Sequence, residues 1–279
     1  MSERMKTNFF RALLYFALIF LAVICFIPFW LMLINSTRSG NEIMTGFSLL
    51  PSNSLMKNWE VVSTNMSLGR GFANSLLLAV LNTVLVSYFS ALTAYGLAFY
   101  RFPGANVIFT VMLVFMMVPA QLSMLGFYDL TNKMRMIDTY WPLFLPSIAS
   151  PATVFFLRQY TISILPRSVL EAPRIDGAGE LTIFHKIVMP VMVPGIATMA
   201  IGAFIGSWNN YLLPMLIINT PAKRTLPVMV AELSAVRDIT TNLGATYLVV
   251  AISVVPIMIA FCFFSKHIIS GIGAGAMKE

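Results

Sequence analysis

Six long apolar stretches, separated by shorter polar ones, constrain this chain more than any other feature. The first covers residues 12–37 without a charged residue, is longer than the apolar core of a signal peptide and lacks a small-residue cleavage pattern. Because a membrane-spanning helix needs about 20 mostly apolar residues, we predict an all-α integral membrane protein with one transmembrane domain over residues 1–279. The predicted spans cover about residues 12–34, 72–100, 105–125, 140–160, 193–218 and 245–264.

The composition supports the same class. Hydrophobic residues make up 58% of the chain and charged residues only 10%, whereas about 25% of a soluble chain is charged. Mean hydropathy is +0.82. The net charge of +7 is scattered among loops and chain ends, so we expect the basic residues to face anionic lipid headgroups of the bilayer and not nucleic acid. Cys25 and Cys262 both fall within apolar stretches, which indicates neither a disulfide nor a metal site.

Several chemistries are missing from the sequence. It contains no G-x-x-x-x-G-K-[ST] phosphate-binding loop, so we expect no nucleotide hydrolysis by this chain. None of the predicted spans carries a carboxylate or lysine near its middle, as an ion-coupled secondary transporter or a proton pump would need. The energy for any transport is therefore expected to come from another protein.

Six spans would place both chain ends on one side of the membrane. Arg4, Lys6 and Arg11 directly precede the first span, and the remaining Lys and Arg residues show a weak bias in the same direction, which predicts cytoplasmic termini. In the second span, small and hydroxyl residues recur at helical spacing. They fit either helix packing or a pore lining, and we favour packing. They are Thr83, Ser87, Ser90 and Ala94.

The longest polar interruption, residues 161–192, carries helix signals of its own. Ser168 and Glu171 have the spacing of a capping box. Gly177 suits the positive-φ position that ends a helix, and a second helical pattern follows over residues 180–189. We therefore predict a cytoplasmic helix, a glycine bend and another helix, an arrangement suited to docking on a partner.

This segment resembles the EAA loop of the permease subunits of ABC importers, between the fourth and fifth of six spans. The matching residues are Glu171, Ala172, Asp176, Gly177, Ala178, Phe184, Ile187, Pro190 and Pro194. Along nearly the whole chain, the sequence is similar to the carbohydrate branch of that family, and within it to the maltose-type second permease. Pro173 departs from the family pattern; either the helix starts late, with Pro173 in its first turn, or the helix bends.

The resemblance implies a type I ABC importer permease fold and a non-catalytic subunit in a bacterial or archaeal cell (inner) membrane. The implied partners are a second homologous permease, a cytoplasmic ATPase dimer that holds ATP and magnesium, and an extracytoplasmic substrate-binding protein. This chain itself is expected to bind no cofactor or metal. The residues implied in ATPase docking are Leu170, Glu171, Ala172, Ile175, Asp176, Gly177, Ala178 and Phe184. Glu171 would pair with a basic group of the ATPase, although a local helix cap is an alternative.

The implied cargo is a sugar or oligosaccharide. An aromatic ring can stack on a sugar and an amide can bond to its hydroxyls, which makes these residues candidates for the substrate path or gate: Gln121, Trp208, Asn209, Asn210 and Tyr211. Aromatic residues also gather at membrane interfaces, so an anchor or gate is as well supported as sugar binding. Glycerol phosphate or a charged polymer is the alternative cargo, and an ion-coupled secondary transporter or a membrane scaffold is the alternative class.

Overall fold

A computed structural model describes residues 3–148, 150–235 and 239–276, and every regular element in those ranges is a helix. The first half contains α1 (Glu3–Ser36), α2 (Gly40–Thr45), α3 (Leu55–Asn65), α4 (Leu68–Phe99), α5 (Ala105–Met116), α6 (Ala120–Lys133) and α7 (Trp141–Phe144). The second half contains α8 (Pro151–Ile164), α9 (Ser168–Ile175), α10 (Glu180–Ile183), α11 (Met189–Trp208), α12 (Leu212–Ile217), α13 (Leu226–Ala235) and α14 (Ile239–Ala276). The all-α prediction is confirmed.

Four helices are long and apolar enough to cross a membrane. They are Asn8–Ser36, Leu68–Phe99, Glu180–Trp208 and Asn242–Ser265. A fifth crossing results if Ala105–Met116 and Gln121–Lys133, which meet at 106°, form one broken span. The multi-pass membrane class is therefore confirmed, whereas the count of six stays a prediction. The predicted cytoplasmic termini include residues 1–2 and 277–279, which lie outside the described residues.

The region predicted as the fourth span is interrupted where its prolines lie. Helix α7 passes into a 3₁₀ turn over Leu145–Ile148, and α8 begins afresh at Pro151. Proline lacks the N–H that a continuing helix would donate, and a proline at the first helical position fits the start of α8. The prolines of this stretch thus account for an interruption within the span predicted over residues 140–160.

The chain divides into two compact units, of which the first combines residues 1–68 with residues 229–255. The buried Arg38 side chain donates hydrogen bonds to Asn35 Oδ1 and to the Glu42 and Gly46 carbonyls. The buried Asn58 amide donates to the Ser36 and Arg38 carbonyls at 2.8 and 2.9 Å. The Asn58 bonds satisfy the carbonyl of Ser36, the last residue of α1, and that of Arg38 just beyond it.

The second unit combines residues 69–228 with residues 256–279. Its main core joins α4 and α8 to the segment that connects α8 with α11. Helices α8 and α11 come so close that a Cβ on Gly195 would lie 2.6 Å from the Tyr160 ring. The absence of a side chain at Gly195 permits this approach.

Candidate functional site

The segment at residues 161–192 forms the predicted helix, bend and helix. Helix α9 covers Ser168–Ile175, and Gly177 follows with φ +78°. The next helix runs without a break over Glu180–Trp208, because α10, a π-helical stretch at Phe184–Val188 and α11 are continuous. The glycine bend is confirmed, although the second helix is far longer than the one predicted over residues 180–189.

The start of α9 differs from the prediction. Arg167 occupies the N-cap position with helical backbone angles (φ −59°, ψ −33°), and no side chain caps the helix in this described segment. The capping box of Ser168 and Glu171 was therefore a wrong prediction. The helix does not start late either: Pro173 lies inside α9, beyond its first turn.

Burial separates the predicted docking residues into two groups. Leu170 is 1% exposed and Phe184 is fully buried, and both belong to the core of the second unit. Their packing therefore holds residues 161–192 against α4 and α8 of the same chain. Ile175 is 85% exposed, and the other surface positions are Glu171, Ala172, Asp176 and Gly177, with Ala178 half-buried. The docking role of these residues stays a prediction.

An ion pair across the bend joins the two helices. Arg174 Nε donates to Glu180 Oε1 at 2.9 Å, and this bond raises the pKa of the Arg174 guanidinium. The Tyr95 hydroxyl of α4 donates to Glu180 Oε2 at 2.7 Å, and the guanidinium lies 5.4 Å from the centre of the Tyr100 ring. We call these four residues the latch. The latch was not predicted from the sequence, although opposite charges on either side of a bend-forming glycine indicate an ion pair across the bend.

A cavity of about 560 Å³ collects most of the predicted path residues. Gln121, Asn209, Asn210 and Tyr211 all line it, together with Ser123 and several apolar side chains. Trp208 does not line it. Its ring is 1% exposed and packs between Phe72 and Phe204, at centroid distances of 5.3 and 6.2 Å. Trp208 is therefore an internal packing residue.

A second cavity of about 420 Å³ adjoins the first, because Gly206 and Asn210 line both. Its polar lining comes from α4, α8 and α11 and from residues next to the ends of α8 and α11, and comprises Asn82, Ser150, Thr153, Thr198, Ser207 and Asn210. The Asn82 amide donates to Ser207 Oγ at 2.8 Å, a contact that sequence analysis missed. None of the described residues that line the two cavities carries a charge.

The face of α4 toward the second cavity is not the small-residue stripe of the sequence. Asn82 and Val86 line the cavity, whereas Ser90 and Ala94 are fully buried. Burial supports the packing interpretation that we favoured for that stripe.

Taken together, the all-helical multi-pass fold, the bend at Gly177 and the adjoining polar cavities are features that a membrane transport component would have. The chain belongs to the family of binding-protein-dependent transport system inner membrane components, whose model matches residues 84–273. The predicted resemblance to ABC importer permeases is thereby confirmed.

The names of individual relatives support the same family assignment. The arabinooligosaccharides transport system permease protein AraQ of Bacillus subtilis is 36% identical over 262 residues, covering 92% of each chain. The diacetylchitobiose uptake system permease protein NgcG of Streptomyces coelicolor is 31% identical and covers 96% of this chain and 89% of its own. In fold, the chain matches part of a bacterial ABC transporter that imports the acidic polysaccharide alginate, with a TM-score of 0.80, 21% identity, and coverage of 95% and 98%.

Proposed function

We propose that this chain forms half of the translocation path for an oligosaccharide in an ATP-driven importer. The observation that carries the proposal is the pair of adjoining cavities, whose polar lining consists of amides and hydroxyls. Such groups both donate and accept hydrogen bonds, as the hydroxyl groups of a sugar require. Tyr211 adds an aromatic ring at the first cavity.

The neutral lining favours a sugar over the alternative cargoes. Glycerol phosphate or a charged polymer would lose hydration in these cavities without gaining an opposite charge, which is costly. The names of the relatives AraQ and NgcG, which refer to neutral oligosaccharides, support the same cargo class. An ion-coupled secondary transporter is less well supported, because family membership favours a subunit that is driven by a separate protein.

We also propose that residues 161–192 form a cytoplasmic coupling segment that docks on the ATPase dimer, and that six spans place both termini in the cytoplasm. Among the residues proposed for docking, Glu171, Ala172, Ile175 and Asp176 have exposed side chains. The latch then connects α9 with α4 and with the start of the Glu180–Trp208 helix. A displacement of α9 would thus be transmitted to α4 and to the Glu180–Trp208 helix, which both border the second cavity. ATP and magnesium would be held by the ATPase.

Removal of one amide that both cavities share tests the path. We expect Asn210→Ala to reduce uptake of a radiolabelled neutral trisaccharide about threefold to tenfold, because a lost hydrogen bond is worth about 0.5–1.5 kcal/mol. Uptake is measured in proteoliposomes that contain the complete importer and its binding protein. Asn65→Ala is the matched control, since the Asn65 amide is exposed and, among the residues that the structure describes, donates only to the local Val61 carbonyl.

The outcome that contradicts the proposal is equal uptake by the Asn210→Ala variant and the wild type. Transport of a phosphorylated sugar in preference to the neutral one would contradict the cargo class instead.

A further inference from the structure

A polar cavity of about 600 Å³ lies where α4 ends and α5 begins, away from the two cavities of the proposed path. Three arginines line it: Arg101 from the connecting turn, Arg158 from α8 and Arg167 from the turn before α9. None of the described residues that line this cavity is acidic. We call it the arginine cavity.

The protein uses only part of the hydrogen-bonding capacity of these guanidinium groups. Arg158 Nε donates to the Leu97 carbonyl at 3.2 Å, and Arg167 Nη2 donates to the Ala98 carbonyl at 3.4 Å. Each guanidinium carries five N–H donors in all, so several remain. Within the part of the chain that the structure describes, the Arg101 side chain has no hydrogen-bond or ion-pair partner. Three like charges with spare donors are stabilised by an anion.

Backbone donors add to this positive potential. Gly104 is the N-cap residue of α5, lies in the left-handed region at φ +90°, and supplies no capping side chain. The first N–H groups of a helix have no acceptor within the helix, and those of Asn106 and Val107 have no acceptor elsewhere in the described residues. Both residues line the arginine cavity. Phosphate groups suit such a helix start when cations are also present.

An apolar stripe leads away from the cavity along α5. Val107, which lines the cavity, is 65% exposed, and Val111 and Val114 continue the stripe at 46% and 57%. No residue of α5 is buried. The twelve residues of α5 span about 18 Å at 1.5 Å per residue, which is close to half of a hydrocarbon core of about 30 Å.

We propose that the arginine cavity and this stripe form a binding site for an anionic phospholipid. The phosphate group of the lipid would lie among the three guanidinium groups, and an acyl chain would lie along Val107, Val111 and Val114. The stripe selects a lipid over a free phosphate ion, which would gain nothing from exposed valines. The three positive charges select an anionic headgroup over a zwitterionic one. The site does not involve the cargo, and Arg101 and Arg158 lie outside residues 161–192, so the Arg101 variant leaves the proposed docking segment unchanged.

Native mass spectrometry of the assembled importer tests the site. The complex is equilibrated with equal amounts of phosphatidylglycerol and phosphatidylcholine that have the same acyl chains. We expect the wild type to retain phosphatidylglycerol preferentially, and Arg101→Gln to lose at least one such lipid or bind it severalfold more weakly. Arg101→Lys should restore much of the retention. The control is Arg70→Gln, which removes the same charge from the opposite end of α4 and should retain the lipid.

Two further measurements complete the test. Because a bound ligand stabilises the folded state, phosphatidylglycerol should raise the unfolding temperature of the wild type more than that of Arg101→Gln. Inorganic phosphate in tenfold excess should fail to displace the lipid. Arg167→Gln serves as the second variant if Arg101→Gln does not fold. Equal retention of the two lipids, unchanged retention in the folded arginine variant, or displacement by inorganic phosphate would each overturn the proposal.

Discussion

The spacing Ser-x-x-Glu occurs both at Ser39 and at Ser168, yet only the first copy forms a capping box. Ser39 has an extended backbone (φ −71°, ψ 157°), and its N–H donates to Glu42 Oε2 at 2.7 Å. That bond holds the pKa of Glu42 below its ordinary value. At the second copy, Arg167 already has helical angles, so Ser168 lies within the helix. An N-cap residue needs a non-helical backbone, which the spacing alone cannot reveal.

The missing box sharpens a prediction for Glu171, because its exposed carboxylate caps no helix in the described chain. If Glu171 meets a basic group of the ATPase, the charge-assisted bond is about twice as strong as a neutral one. We expect Glu171→Gln to reduce substrate-stimulated ATP hydrolysis by the assembled importer severalfold, with normal membrane insertion. Glu42→Gln is the control, since a capping box admits glutamine. Wild-type hydrolysis by Glu171→Gln would shift the docking role to Ile175.

At the scale of elements, the bend between α9 and α10 depends on Gly177. Its φ of +78° is strained for any residue with a Cβ, although the surrounding space is open, and the cost is about 1–2 kcal/mol. We expect Gly177→Val to insert normally but to lose the ATPase during purification, because the strained bend moves α9. Gly179→Val is the matched control, since Gly179 has φ −66° and open space around it. Equal ATPase retention by both variants would make Gly177 an ordinary loop residue.

The sequence predicted which stretches form apolar helices better than where those helices begin and end. Helix α5 ends at Met116, inside the span predicted over residues 105–125, and the 106° turn into α6 depends on packing that no local pattern encodes. Likewise, the predicted span over residues 193–218 begins in the structure at Glu180 and breaks after Trp208. The π-helical stretch at Phe184–Val188 joins the polar segment to that span. Phe184 and Val188 of this stretch are fully buried in the core of the second unit, and this packing stabilises the continuous helix.

For the whole molecule, the composition and the EAA-like motif predicted an ABC importer permease, whereas contacts between residues far apart in the sequence could not be predicted. Asp138 shows why: its carboxylate accepts bonds from the Thr220 hydroxyl and N–H, and from Lys223 Nζ at 3.1 Å. These bonds lower the pKa of Asp138. The loop residue itself has φ +60°, and nothing near it in the sequence indicates a partner beyond residue 200. The Asn82–Ser207 contact in the second cavity was missed for the same reason.

The final prediction concerns assembly. The sequence has no phosphate-binding loop, so this chain should be unable to drive transport, and its exposed α9 surface should need an ATPase. Purified alone in liposomes, the chain should move no oligosaccharide. Uptake should appear only when a second permease, the ATPase pair, ATP and the binding protein are all present, and omission of any one should abolish it.

An ATPase variant that binds but does not hydrolyse ATP is the appropriate control, because it preserves the assembly while removing the energy source. Accumulation should then stop although the complex still purifies intact. Concentrative uptake by the chain alone, or uptake that an ion gradient drives in the absence of ATP, would instead identify a secondary transporter. That result would also require ionisable groups along the path, where the described lining of both cavities has only neutral ones.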